Sequence, residues 1–329
     1  MFTPRKHGPL AFSLTLQKTP LLSFQRLTAI FSAAQPVLLE QPQGEREHMK
    51  KALIVLASLS LVAASALAQQ NAKDLNPAAG HHQTNPDNGN GDDNGNGPTN
   101  RATPGGSGNL INHGGGVMNG GKIVCIFWGS FPSGYTSNMQ SFRANGMVSH
   151  MNMLTQYGVT ETSLIGSHAD VFDPNPPSST RVTDAMVQAE VARTVGFNPA
   201  STNTIYEVFI PNGYYSYDGG STSCGGTNLQ YCAYHSSGDG THLATNVKYS
   251  IEPYPSCSGC AVSGWTTNQN ANHFMIHESR EALTDPYGTT WYDSVGYEAD
   301  DKCAWQGLFT SNGFGYQPEY SNSTRTCVQ

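Results

Sequence analysis

The stretch from Asn272 to Pro286, N-H-F-M-I-H-E-S-R-E-A-L-T-D-P, constrains this chain more than any other. It gathers His273, His277, Glu278, Glu281 and Asp285 into one short segment of a protein in which only 12% of residues are charged. Ala271, Phe274, Met275, Ile276, Ala282 and Leu283 supply the apolar part of a helical pattern. Pro286 ends it, because proline lacks a donor and disfavours helix in the residue before it. His277 and Glu281 stand one above the other at i and i+4, and Glu278 points beside them, roughly 100° round. Such a face can hold a divalent cation between His277 and Glu281 and keep a carboxylate for proton transfer. The bland alternative is an ordinary helix face, ion-paired to Arg280 or hydrogen-bonded to neighbouring turns. His273 reads as a packed or supporting ring rather than a ligand.

Upstream, the composition shifts twice. Residues 1–48 carry no helix or strand pattern and read as an extension ahead of the true start. Met49, Lys50 and Lys51 then open a secretory signal, with Ala52 to Val62 as its apolar core and Ala66-Leu67-Ala68 as a cleavage site before Gln69. The expectation for residues 49–68 is therefore export, to a secreted, extracellular or periplasmic location; the apolar run is short of the ~20 residues that span a bilayer. Residues 69–112, dominated by Asn, Gly, Asp, Pro and Thr, hold too little apolar surface to offset the entropy of ordering, and are expected to form a disordered linker. Residues 113–329 are enough chain for one domain with its own core.

Within that domain, Lys122 to Trp128, Thr204 to Pro211 and Asn246 to Tyr254 read as strands. Ser137 to Tyr157 has helical spacing weakened by Gly146, and Thr183 to Val195 reads as an amphipathic helix with Thr183 or Ser179 as its cap. Strands alternating with helices predict an α+β or α/β single domain, with the His277 helix packed on a mixed sheet. The seven cysteines fit an oxidising compartment, with three pairs and one thiol left over. Cys125, inside an apolar strand, is the expected free thiol. Nearest-neighbour pairing would join Cys224 to Cys232, Cys257 to Cys260 and Cys303 to Cys327, one of several connectivities that six cysteines allow.

A metal on this helix needs a third ligand. The usual zincin motif is H-E-x-x-H, with two histidine ligands and a glutamate as general base on the water that zinc acidifies; here Glu281 stands in place of the second histidine. Downstream, W-Y-D-S-V-G-Y-E-A-D-D-K-C-A-W brings Asp293, Glu298, Asp300 and Asp301 within reach of the chain's return. Zincins with a glutamate third ligand place it some twenty positions on, which points to Glu298 and Asp301: one as ligand, the other orienting His277. Two carboxylates and one histidine would neutralise a divalent ion and leave it a weaker Lewis acid than a two-histidine site. Zinc is the expected metal, with calcium or manganese open to an oxygen-rich set. Glu278 is the candidate base, and His235 or Tyr297 a candidate donor to an oxyanion. The bland alternative for His235 is a hydrogen-bonding residue of a disulfide loop.

Four motifs together carry a family resemblance: a glycine-rich entry into I-F-W-G (Gly116 to Gly129), C-x-Y-H (Cys232 to His235), H-E-x-x-E-A-x-T-D-P (His277 to Pro286), and the Trp291 to Trp305 segment. The chain resembles the bacterial branch of the EXORDIUM, or phosphate-induced, protein family. The resemblance implies a secreted single domain with a zincin-like active-site helix. Two functions follow as expectations. One is a secreted metallohydrolase, a zinc peptidase acting on a protein or peptide with Glu278 activating water. The other is a non-catalytic extracellular protein with a structural metal site, binding a cell-wall component or other surface through Tyr214, Tyr215 and Tyr217. A formal net charge of −7 argues against nucleic acid as partner, since phosphate attraction needs clustered Lys and Arg.

Overall fold

Six strands build the sheet on which everything else is placed. The computed structural model describes residues 81–83, 105–163, 165–166, 169–199 and 203–329, all within the unit Ser65–Gln329. The extension at 1–48 and the signal at 49–68 lie outside the described residues. The strands are β1 (His81–Gln83), β2 (Lys122–Trp128), β3 (Val171–Asp173), β4 (Thr204–Ile210), β5 (Tyr231–Ser237) and β6 (Lys248–Pro253). Their order is β1-β5-β6-β4-β2-β3. β3, β2, β4 and β6 are parallel, and β5 runs antiparallel to both β6 and β1. The architecture is α+β with a mixed sheet, as the order of strand and helix patterns predicts.

Because successive side chains on a strand point to opposite faces, each central strand serves two cores. Ile123, Cys125 and Phe127 of β2 and Ile205 and Phe209 of β4 pack with Met275, Ile276 and Leu283 on one face. Ile126, Tyr206, Val208 and Ile210 pack with Val187 and Val191 on the other. The helix on this second face, α2 (Asp184–Val195), starts where Thr183 Oγ1 accepts from the Met186 amide at 3.4 Å, the cap expected from sequence.

The helix on the first face, α3 (Thr267–Thr284), begins four residues earlier than the apolar pattern from Ala271 suggests. Thr266 and Gln269 form a capping box: Gln269 Oε1 accepts from the Thr266 amide at 2.8 Å, and Thr266 Oγ1 from the Gln269 amide at 3.2 Å. From Asn270 to Thr284 every residue of α3 is buried.

Two expectations need correction. The helical spacing over Ser137 to Tyr157 yields only a short helix, α1 (Tyr135–Ser141), followed by a π turn at Phe142–Met147 and 3-10 turns at Val148–His150 and Asn152–Tyr157. Gly146 sits so close to its surroundings that a Cβ there would lie 2.5 Å from Phe142 Cδ2 and 2.9 Å from the Tyr316 hydroxyl, so tertiary packing, not helix propensity, sets the backbone here. Of the expected linker, residues 69–80 and 84–104 lie outside the described residues, and residues 105–112 are ordered. Gly105 donates to the Lys302 carbonyl at 2.8 Å, Leu110 to Asn322 Oδ1 at 2.8 Å, and Ile111–Asn112 pairs with Trp291–Tyr292, so the ordered domain takes in residues 105–112; β1 pairs with β5 further upstream.

The disulfides also differ from nearest-neighbour pairing. Cys224 joins Cys257, Cys232 joins Cys260, and only Cys303–Cys327 is as expected. Cys232 lies within β5, and the Cys257–Cys260 loop crosses beside it, so the loop is stapled to the strand and its approach rather than closed on itself. Cys125 is free and buried, as expected, with burial raising its thiol well above the ordinary value. Three disulfides are what an oxidising compartment produces. No helix among the described residues is long and apolar enough to cross a membrane.

Candidate metal centre

Three pieces of backbone converge on one cluster. Helix α3 contributes His277, Glu278 and Glu281; β5 contributes His235; the turn ahead of and including Asp301–Cys303 contributes Glu298 and Asp301. His277 Nε2 lies 3.2 Å from Glu281 Oε2 and 3.6 Å from Asp301 Oδ1. His277, Glu281 and Asp301 thus form a donor set whose atoms all fall within 4.8 Å of one another. His235 Nδ1 lies 3.2 Å from Glu278 Oε2 and 3.7 Å from Glu281 Oε2, and these three residues close a second set. Glu298 Oε1 is 3.8 Å from His235 Nε2.

The residues singled out from sequence therefore gather at one place, with their roles sorted by position. Asp301 joins the His277–Glu281 set, whereas Glu298 stands against His235 and belongs to neither set. Asp293 and Asp300, also within sequence reach, are engaged elsewhere. Asp293 pairs with Lys302 Nζ at 2.7 Å and accepts from the Ser107 amide at 2.6 Å, and Asp300 pairs with the buried Arg280 of α3. His273 lies among Trp265, Phe274 and Trp305, the packed ring that its sequence position suggests.

The electrostatics follow from removing these groups from water. Glu278 and Glu281 are wholly shielded, while His235 retains 8% and Asp301 5% of their exposure. Burial raises the Glu278 carboxyl above its ordinary range, with His235 partly opposing. Burial and then repulsion from Glu281 push Asp301 well up. Glu281 goes the other way: burial opposes its charge, but His277 beside it and the Asp301 amide, which donates to Oε1 at 2.9 Å, hold it below the usual carboxylate value. His277 and His235 are both raised, because the surrounding carboxylates outweigh the burial that works against their charged forms.

That amide bond ties down Glu281 Oε1 and leaves Oε2 aimed at the histidines without a hydrogen bond. Glu278 Oε1 and Asp301 Oδ2 likewise make none. A buried carboxylate oxygen without a hydrogen bond is costly, roughly 1–3 kcal/mol, and a proton, a charged histidine beside it or a divalent cation can each relieve it. One imidazole and two carboxylates, His277, Glu281 and Asp301, fit a cation of the zinc, manganese or calcium class.

Sequence reasoning missed the shell behind the ligands. Gln317 Nε2 donates to the Asp300 carbonyl at 2.8 Å and lies 3.0 Å from His277 Nδ1. With the amide so turned, a neutral His277 carries its proton on Nε2; ligation through Nε2 calls for the other tautomer, with Gln317 offering Oε1. On the sheet side, Glu207 of β4 accepts from Ser279 of α3, and Glu252 of β6 is buried near Glu207 and Glu278. Glu207 and Glu252 had a signal, being acids inside apolar strands; Gln317 had none.

No family model, curated protein or solved structure matches the chain. Fold and site define the class without them: an α+β protein with three disulfides and a buried histidine–carboxylate centre able to hold a metal ion.

Proposed function

We propose that this chain is an exported, zinc-dependent hydrolase acting on a peptide or protein, with the EXORDIUM-like motifs as its signature. The observation that carries the reading is the placing of a carboxylate and a histidine, Glu278 and His235, at 3.2 Å from each other and beside the His277–Glu281–Asp301 donor set. His277, Glu281 and Asp301 would hold the zinc. When bound, zinc supplies Lewis-acid polarisation of a carbonyl and lowers the pKa of water. Glu278, its affinity for a proton raised by burial, takes the proton of the attacking water and hands it to the leaving amine. His235, at the rim of the cluster, donates a hydrogen bond to the oxygen on which charge develops, and Glu298 beside its other nitrogen fixes the ring.

One observation favours a second reading. The ligand carboxylates are shielded from solvent, which suits a structural ion in a non-catalytic extracellular protein. Tyr215 and Tyr217, on the strand Tyr215–Asp218 with Arg181 stacked 5.1 Å over the Tyr217 ring, would then present the surface that binds a cell-wall component.

The test is metal content by mass spectrometry on protein expressed from Met49 and exported, with His277→Ala and Glu281→Ala beside it, followed by a peptide-library screen. About one tightly bound zinc per chain, lost in both variants, together with cleavage that Glu278→Gln lowers by about 10²–10⁴-fold at unchanged zinc content, supports the hydrolase. Zinc or calcium with no cleavage in the wild type favours the structural reading, and no metal at all removes both.

A further inference from the structure

The donor sets His277–Glu281–Asp301 and His235–Glu278–Glu281 share one residue and do not merge: among the described residues, no set containing both histidines closes within 4.8 Å. A single ion placed between His277 and Asp301 therefore leaves His235 and Glu278 as a second group of donors with their own converging geometry. Glu281 is built to serve both. Its Oε1 is held by the Asp301 amide at 2.9 Å, while Oε2 lies 3.2 Å from His277 Nε2 and 3.7 Å from His235 Nδ1, buried and making no hydrogen bond. Glu278 Oε1 is a second buried, unbonded oxygen on the same side. His235 Nδ1 and Glu278 Oε2 are hydrogen-bonded at 3.2 Å, so a cation here takes the place of the shared proton, with the ring proton on Nε2, which faces Glu298 Oε1 at 3.8 Å.

We propose that this centre has a second cation position, formed by His235, Glu278 and the shared Glu281, and that filling it switches the hydrolase off. The inference rests on the hydrolase reading, because it turns that reading's base and hydrogen-bond donor into ligands. A Glu278 oxygen that coordinates an ion no longer accepts a proton from water, and a ligated His235 Nδ1 no longer donates from that nitrogen. The second position is the weaker of the two. The first ion has two carboxylates, Glu281 and Asp301, which neutralise a divalent charge; the second finds Glu281 already engaged and adds only Glu278, so a net positive charge remains on the pair. Catalysis thus proceeds when zinc is scarce and stops reversibly when it is abundant.

The experiment is equilibrium dialysis of the exported, disulfide-bonded chain against buffered free zinc, read as bound zinc per chain, with zinc titrated into a peptide-cleavage assay alongside. Wild type should bind about two ions, the second about tenfold or more weakly, with inhibition following the second. His235→Ala and Glu278→Gln should weaken only the second ion, Asp301→Asn only the first, and Glu281→Gln both, each by about tenfold or more. Circular dichroism and thermal unfolding establish that each variant is folded, and Glu278→Gln, nearly isosteric, keeps the test open if His235→Ala is not. Wild type that saturates at a single zinc, or Glu278→Gln that still binds two with unchanged affinities, overturns the second position while leaving the hydrolase standing. No bound zinc at any concentration overturns both.

Discussion

On the α2 face of the sheet, the buried polar groups are matched to one another. Asp184, at the start of the helix, accepts from the Tyr234 hydroxyl at 2.8 Å, the Tyr249 hydroxyl at 2.5 Å and Gln188 Nε2 at 2.7 Å, and Gln188 Oε1 in turn accepts from the Asp239 amide at 2.9 Å. On the α3 face, Glu207 Oε2, Glu252 Oε1, Glu278 Oε1 and Glu281 Oε2 are buried without hydrogen bonds. One chain thus uses carboxylates in opposite ways on two sides of the same strands. The first face satisfies its acid with hydrogen bonds; the second carries buried acid oxygens without them, an electrostatic cost of the kind found at functional sites.

Matching substitutions on the two faces should therefore differ in sign. Asp184→Ala strands two buried tyrosine hydroxyls and should cost about 4 kcal/mol in urea unfolding, at about 1–3 kcal/mol for each unsatisfied group. A neutral result would break the comparison. Removing the Cys232–Cys260 bridge by replacing both cysteines with alanine should cost about 3 kcal/mol and free the Cys257–Cys260 loop from the strand that carries His235. Zinc at about a hundredfold over its Kd should stabilise the wild type by about 2.7 kcal/mol, and a chelator should reverse it; His277→Ala should show no such gain.

The smallest effect tests the α3 face away from the ligands. Burial raises Glu207 to about 8 from an ordinary 4.5, so the folded protein holds that proton more tightly than the unfolded chain. Its contribution is full below the unfolded value and is lost as pH rises through about 8. Glu207→Gln should thus gain on wild type as pH rises toward 8, with a flatter dependence of thermal midpoint on pH. A wild-type profile unchanged by the substitution would show that the cost lies elsewhere.

How much of this was readable in the sequence depended on range. The β2, β4 and β6 strands and helices α2 and α3 carry their own periodicity, and the apolar residues that define it are the ones that pack against the sheet. His277, Glu278 and Glu281 came from helical spacing, and Asp301 from its distance along the chain. His235 was recommended by its chemistry only, because nothing local tells β5 to lie across from α3. The pairings of Cys232 with Cys260 and Cys224 with Cys257, the Arg280–Asp300 ion pair and the Gln317 contact with His277 are products of tertiary placement, with no local pattern to announce them. The start of α3 was readable and overlooked: Thr266-x-x-Gln269 is a capping signature in plain view.

The crossed disulfides bear on the order in which the molecule is assembled. Cys224, Cys257 and Cys260 lie close enough for their sulfurs to act together as a thiolate donor set when reduced, and thiolates outcompete carboxylates for soft ions. A chain that met zinc before oxidation would offer it a rival trap, built from the very sulfurs that later fasten the loop to β5. Oxidation closes that trap and leaves the histidine–carboxylate set as the one a divalent ion would meet. The bridges thus bear on metal choice as well as on stability, since sulfurs committed to disulfides no longer compete with the histidine–carboxylate set for a divalent ion.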